Sequence, residues 1–242
     1  MGFKKNIHRI TRSLGFDFYA LKDKNDGELL RLRWLKEMGI TTVLDIGANE
    51  GQFALMIRKL LPNTAICSFE PIPVCYNKLL EIFSNDKAFK AFNVAIGDKE
   101  EMIEMNINDF SPSSSLLEID DLHVENFKHT SNSKKQLIPV KTLDSFSAQL
   151  NLLKPYMVKI DTQGYEDKVI RGGQHILAGA DVVFVELSYK SLYKEQTLFD
   201  DIYKALLRLD FEYHGNFEEL LSPINGAVLQ SDGIFVKRQP GK

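Results

Sequence analysis

Val43-Leu-Asp-Ile-Gly-Ala-Asn-Glu-Gly-Gln-Phe53 is the stretch whose reading decides the fold. An apolar, β-rich run from Thr41 to Ile46 feeds a turn that holds Gly47, Ala48, Asn49 and Gly51, and a helix-compatible segment, Gln52 to Leu61, follows at once. Glycines at such a turn let the chain bend sharply and let a ligand approach with no Cβ in the way. The N–H groups that open the next helix then offer donors to an anion or a polar tail.

Working outward, Ala65-Ile-Cys-Ser-Phe-Glu70 reads as a second strand that ends in an acid, with Pro71 and Pro73 breaking the chain behind it. In a βαβ unit, an acid at the tip of the second strand lies beside the first glycine turn and can accept from both ribose hydroxyls. Asp45 stands where a dinucleotide fingerprint has its first glycine. A carboxylate there repels a pyrophosphate and suits a cationic ligand. S-adenosylmethionine, with its ammonium and sulfonium, is therefore expected over a nicotinamide cofactor. The plainer alternative is that Asp45 and Glu70 merely cap helices.

Further along, Phe89 to Val94 reads as a third strand running into Ala95-Ile-Gly-Asp98, and Lys99 to Asn108 as an antiparallel or edge strand. The stretch from 109 to 135 has no clear period and reads as a lid or insertion. Leu137 to Val140 resumes as a strand, and Leu143 to Leu150 as a short helix. Tyr156 to Asp161 and Asp181 to Leu187 are buried strands, Gly164 to Leu177 and Thr197 to Leu209 helices, and Phe211 to His214 pairs with Gly233 to Lys237. Such alternation predicts an α/β fold: a doubly wound, mostly parallel, Rossmann-like sheet with helices on both faces and an antiparallel C-terminal hairpin. Ligands in these sheets bind beyond the carboxyl ends of the strands. Asp45, Glu70, Asp98, Asp161 and Glu186 all fall at or near those ends, a pattern that core packing does not require.

The chain has 242 residues, 44% of them hydrophobic, enough for one large α/β domain carrying an arm. We expect a helical arm over 1–38 and the methyl-donor domain over 39–240. A net charge of −3, with no basic run interleaved with aromatics after residue 40, argues against nucleic acid as a partner. Cys67 and Cys75 match no zinc spacing and fit two reduced thiols in a cytoplasmic protein. No stretch reaches the roughly 18 to 20 apolar residues of a transmembrane segment, and the N-terminus lacks the apolar core of a signal peptide. Ile7, Ile10 and Leu14 recur at helical spacing among basic residues. That fits a helix packed on the domain or on a second subunit of a homo-oligomer; the sharper alternative is contact with an anionic membrane surface.

At this point the residues match a known family. The chain resembles the FkbM-type S-adenosylmethionine-dependent methyltransferases in Val43–Phe53, Phe69-Glu-Pro71, Asn93–Asp98, Ser113–Leu117, Val140–Asp144, Val158-Lys-Ile-Asp-Thr-Gln-Gly-Tyr-Glu166, Val183–Leu187 and Asp232-Gly-Ile-Phe-Val236. The Lys-Ile-Asp-x-x-Gly-x-Glu block is the most specific of these, although Gln163 stands where the family commonly has an acid. The resemblance implies methylation of a hydroxyl on a sugar, a glycan or another small-molecule natural product.

It also implies roles. Asp45, Gly47, Ala48, Asn49 and Gly51 would surround the methionine end of the cofactor, Glu70 with Pro71 the ribose, and Ile96, Gly97 and Asp98 the adenine. Ser114, within the serine run 113–115, would cover the cofactor and contact the acceptor. Methyl transfer needs an acceptor oxygen held in line, water excluded and a proton removed from a weakly acidic hydroxyl. Asp161 is the first candidate for that proton and Glu186 the second, since neighbouring carboxylates push one pKa towards neutrality. The same pair suits a divalent cation, but no His-Asp cluster completes a shell, and no metal ligand is assigned. His123, His129 and His214 read as solvated residues, the first two serving as base only if the lid closes. Two other readings remain open: a non-catalytic interaction protein that keeps the cofactor as a structural ligand, and a nicotinamide-dependent oxidoreductase.

Overall fold

The computed structural model describes residues 26–108, 114–127 and 133–238. The proposed amphipathic N-terminal segment and His129 lie outside them. Two short helices, α1 (Asp26–Arg31) and α2 (Trp34–Met38), lead into β1 (Thr42–Ile46), α3 (Gln52–Leu60), β2 (Ala65–Phe69), α4 (Pro73–Ile82) and β3 (Phe89–Phe92). Leu32 and Leu35, within the span assigned to the arm, are fully buried in one core with Val43 and Ile57. After β3 come β4 (Ala95–Gly97), β5 (Glu101–Asn108), α5 (Asp121–Asn126) and β6 (Ser133–Thr142). The second half adds β7 (Tyr156–Ile160), α6 (Glu166–Gly172), α7 (Gln174–Gly179), β8 (Val182–Ser188), α8 (Phe199–Arg208), β9 (Phe211–Leu221) and β10 (Val228–Lys237).

Seven strands form one sheet in the order β3-β2-β1-β7-β8-β10-β9. The first five are parallel neighbours, while β10 runs antiparallel to both β8 and β9. The chain steps outward from β1 to β3, then returns to the other side of β1 as β7. That reversal makes the β1/β7 boundary the switch point, where such sheets hold ligands. The expected doubly wound sheet with its antiparallel hairpin is therefore the observed one.

Alternation along the strands sorts side chains to the two faces. Leu44, Ile46, Val158 and Ile160 join the core under α6, α7 and α8. Val43, Ile66, Met157 and Phe184 join the core under α3 and α4. Asp45, two positions after Val43, and Lys159, two after Met157, therefore share the α3 face and stand opposite each other in register, with Ser68 on the far side of Asp45.

Three details depart from the sequence reading. The third strand ends at Phe92, because the Asn93 amide donates to the carbonyls of Glu70 and Pro71 at 2.9 Å and turns the chain. Ala95–Gly97 then joins a separate sheet, β4-β6-β5, with β6 starting at Ser133. The expected helix from Gly164 begins only at Glu166, since Gln163 and Gly164 take φ values of 55° and 100° that no right-handed helix accepts, and it is split at Gly173. No helix among the described residues is long and apolar enough to cross a membrane.

Candidate functional site

A cavity of about 360 Å³ lies across the carboxyl ends of β2, β1 and β7. Its floor is the turn after β1. Gly47 has φ 79°, and a Cβ there would sit 1.8 Å from the Asp161 carbonyl oxygen, so only glycine lets this turn close onto the end of β7. The N–H groups of Gly47 and Ala48 donate to the Phe69 carbonyl at 3.0 and 3.1 Å. Asn49, at φ 48°, donates its backbone N–H to Glu70 Oε2 at 2.8 Å.

Glu70 is buried and lines the cavity. Its second oxygen, Oε1, accepts from the Ile72 N–H at 2.7 Å. Each oxygen thus fastens one loop and keeps a lone pair for a ligand. Burial pushes the carboxyl up to about 7, against the pull of the Ile72 and Asn49 N–H groups. Around it the wall is apolar, with Ile72, Val94, Ile96, Met105 and Leu116, and Pro71 and Ser114 at its edge.

The opposite end is ionic. Lys159 Nζ lies 3.0 Å from Asp161 Oδ2 and 3.7 Å from Asp45 Oδ1, with the Phe53 ring centroid 5.5 Å away. Burial works against the Lys159 charge, but Asp161 and Asp45 outweigh it and hold the ammonium above its ordinary pKa. Gln163 ties the other carboxylates together. Its Nε2 donates to Asp161 Oδ1 at 2.8 Å and to Glu186 Oε1 at 2.9 Å, while its Oε1 accepts from the buried Tyr193 hydroxyl at 2.8 Å. Among the described residues, Glu186 Oε2 is buried with no hydrogen-bond partner. Burial, with Asp161 and Glu166 close by, raises Glu186 well above the usual carboxylate range. Glu166 accepts from the Thr162 and Gly164 N–H groups, fixing the loop that carries Gln163, and burial pushes it up to about 7.

The expected residues divide accordingly. Gly47, Ala48, Asn49, Glu70, Pro71, Ile96, Ser114 and Asp161 line the cavity. Asp45 is fully buried beneath it, bonded by Ser68 Oγ at 3.5 Å, and reaches the cavity only through Lys159. Gly51 caps α3, and its missing side chain makes room for Leu79 of α4, whose Cδ2 would lie 2.7 Å from a Cβ. Gly97 is packed by Val140 in the same way, and Asp98 accepts from Arg171 Nε at 3.1 Å outside the cavity; the turn at Asn93 has carried both off the rim. Glu186 stands behind Gln163 rather than in the wall.

Sequence reading missed Gln52, Phe53 as a lining residue, Phe217, Glu218 and Asp232. His123, expected in solvent, is 4% exposed, its ring 5.3 Å from those of Phe127 and Tyr193. His214 is exposed on β9. Among the described residues, no group of three or more His, Cys, Asp or Glu side chains is arranged to hold a metal ion.

The Methyltransferase FkbM domain family model matches residues 45–213. The 2-O-methyltransferase NoeI of Sinorhizobium fredii is 26% identical over 165 residues, 64% of this chain and 66% of that protein. Methyltransferase 1 of Beauveria bassiana is 24% identical over 54% of this chain and 57% of its own length. The chain thus spans less than two thirds of either relative. Among solved structures, the N-terminal domain of EvdMO1 in the presence of SAH and D-fucose covers 98% of both chains at 11% identity with a TM-score of 0.48. WbdD covers 89% of this chain and 40% of its own at 14% identity, with a TM-score of 0.48. The chain belongs to the FkbM family of S-adenosylmethionine-dependent methyltransferases.

Proposed function

We propose that the protein methylates a hydroxyl oxygen on a neutral small molecule, a sugar or a glycan unit being the first choice. The observation that carries the reading is one cavity that joins an apolar, Glu70-bearing end to an open, carboxylate-lined end. Glu70 and the apolar wall suit ribose and adenine; the Gly47 turn and Asp161 suit the amino-acid end. The bound cofactor supplies an electrophilic methyl group with a neutral thioether as leaving group. The chain's own residues hold the acceptor in line, shut out water and receive its proton.

Several features support the acceptor class. Asp161, Glu218 and Asp232 against Lys159 leave that end acidic, which disfavours an anionic acceptor. NoeI, by its name, methylates an oxygen. A cytoplasmic setting agrees with Cys67 and Cys75 both buried as thiols.

Calorimetry with S-adenosylhomocysteine tests the cofactor site. Glu70→Gln removes the charge and turns one of the two acceptor oxygens into an NH2 that faces the Asn49 or Ile72 N–H, and an affinity weaker by about 5- to 30-fold is expected, about 1–2 kcal/mol. Transfer of tritiated methyl from the donor to a panel of methyl glycosides tests the acceptor class. Absence of S-adenosylhomocysteine binding would sink the whole reading.

A further inference from the structure

We propose that Asp232 is a catalytic residue, the group that accepts the proton of the acceptor hydroxyl. The inference rests on the O-methylation reading and prefers Asp232 to Asp161, which is paired with Lys159 and suits the amino-acid end, and to Glu186, which lies behind Gln163.

The choice follows from how the other acids are engaged. Both Asp161 oxygens already accept, one from Lys159 Nζ and one from Gln163 Nε2. Glu186 is behind Gln163 and outside the cavity wall, with one oxygen on that amide and the other buried. Glu70 is fastened to the Asn49 and Ile72 N–H groups at the apolar end. Asp232 lines the cavity beside Lys159, Asp161 and Glu218, and no side-chain hydrogen bond among the described residues ties it down. Its position is fixed by pairing, because Asp232 faces Glu186 in the β10–β8 register while Gly233 packs under Leu187.

Its surroundings suit the task. Burial raises the carboxyl to about 7, with Asp161 and Glu218 pushing the same way and Lys159 opposing. The charged groups facing it are therefore Lys159 and Asp161 from β7 and its end, Glu186 from β8, and Glu218 from β9. A base poised near neutrality is ionised often enough to act and basic enough to take a proton.

The step balances. The acceptor oxygen forms a bond to the methyl carbon, and the carbon–sulfur bond breaks with its electron pair going to sulfur. The hydroxyl proton moves to a carboxylate oxygen of Asp232 and then to solvent. The products are the methyl ether, S-adenosylhomocysteine and one proton.

Asp232→Asn keeps size and polarity and removes the base. With the methyl-glycoside panel, single-turnover transfer should fall about 100-fold or more, while S-adenosylhomocysteine affinity stays within about 3-fold. The rise of rate with pH near neutrality should disappear, and Asp232→Glu should restore part of both. Full-rate transfer by Asp232→Asn, or loss of cofactor binding in step with transfer, overturns the assignment. If the unsubstituted protein binds S-adenosylhomocysteine yet methylates none of the glycosides, the sugar reading fails. A second measurement then decides this proposal alone: carbon-13 NMR of aspartate carboxyl groups in the S-adenosylhomocysteine complex. A resonance absent from Asp232→Asn and titrating above about 6 sustains it; a midpoint below that overturns it.

Discussion

Replacing Gln163 by glutamate turns the centre of the ionic end against itself. The Gln163 amide donates to Asp161 at 2.8 Å and to Glu186 at 2.9 Å, so a carboxylate in its place faces acceptors where it now has partners. Two like charges about 4 Å apart in a protein environment repel by about 4 kcal/mol. The variant limits that cost by holding a proton, and lifting a carboxyl from about 4.3 to about 7 amounts to about 3–4 kcal/mol. Only the Tyr193 hydroxyl, now donating to Gln163 Oε1, gains from the new charge. We expect a loss of about 2–4 kcal/mol at pH 8.

The sign follows from linkage. The new carboxyl has a folded-state pKa above its unfolded one, so the penalty is absent below about pH 4.3 and grows by about 1.4 kcal/mol per unit as pH rises towards the folded value. Urea denaturation of both proteins from about pH 5 to 8 reads this directly. The curves should nearly meet at the acid end, within about 1 kcal/mol for the altered hydrogen bonds, and diverge with pH. A constant difference across the range, or none, would show that Gln163 does not bridge Asp161 and Glu186 in solution.

Three further outcomes follow. Gly47→Ala forces a Cβ to within 1.8 Å of the Asp161 carbonyl at a left-handed φ; about 2–5 kcal/mol of stability and at least tenfold in S-adenosylhomocysteine affinity should be lost, read by denaturation and calorimetry. Glu70, Glu166 and Asp232, each raised to about 7, and Glu186, also raised by burial, keep protons in the folded state that the unfolded chain gives up near its ordinary carboxyl pKa. Their contribution is therefore full below about pH 4.3 and lost as pH rises through 7, so the melting temperature of the ligand-free protein should fall between about pH 5 and 8, less steeply in Glu186→Gln. Asp98→Asn should leave S-adenosylhomocysteine affinity within about twofold, because Asp98 serves the exposed Arg171; a tenfold loss would return it to the adenine site.

The sequence by itself determined the sheet and the edge at which its cavity lies. Val43–Ile46, Gly47 and Glu70 obey local rules: an apolar run makes a buried strand, a glycine permits the positive φ, and the next strand ends where the first turn lies. Asp161 was legible for the same reason, as the acid beyond a strand of known direction. Lys159 opposite Asp45 follows from alternation once the β1–β7 register is known, but register is a long-range fact that no local pattern carries.

Tertiary structure alone decided which acids meet the cavity. Asp98 was lost from the rim because the Asn93 amide bends the chain after β3 into a second sheet. Asp232 was gained because β10 runs antiparallel, which brings its early residues, not its last, beside the carboxyl end of β8. Strand direction and side-chain burial are set by the whole packed sheet. They fix which carboxylate is tied to its neighbours, which is buried behind them and which lines the cavity.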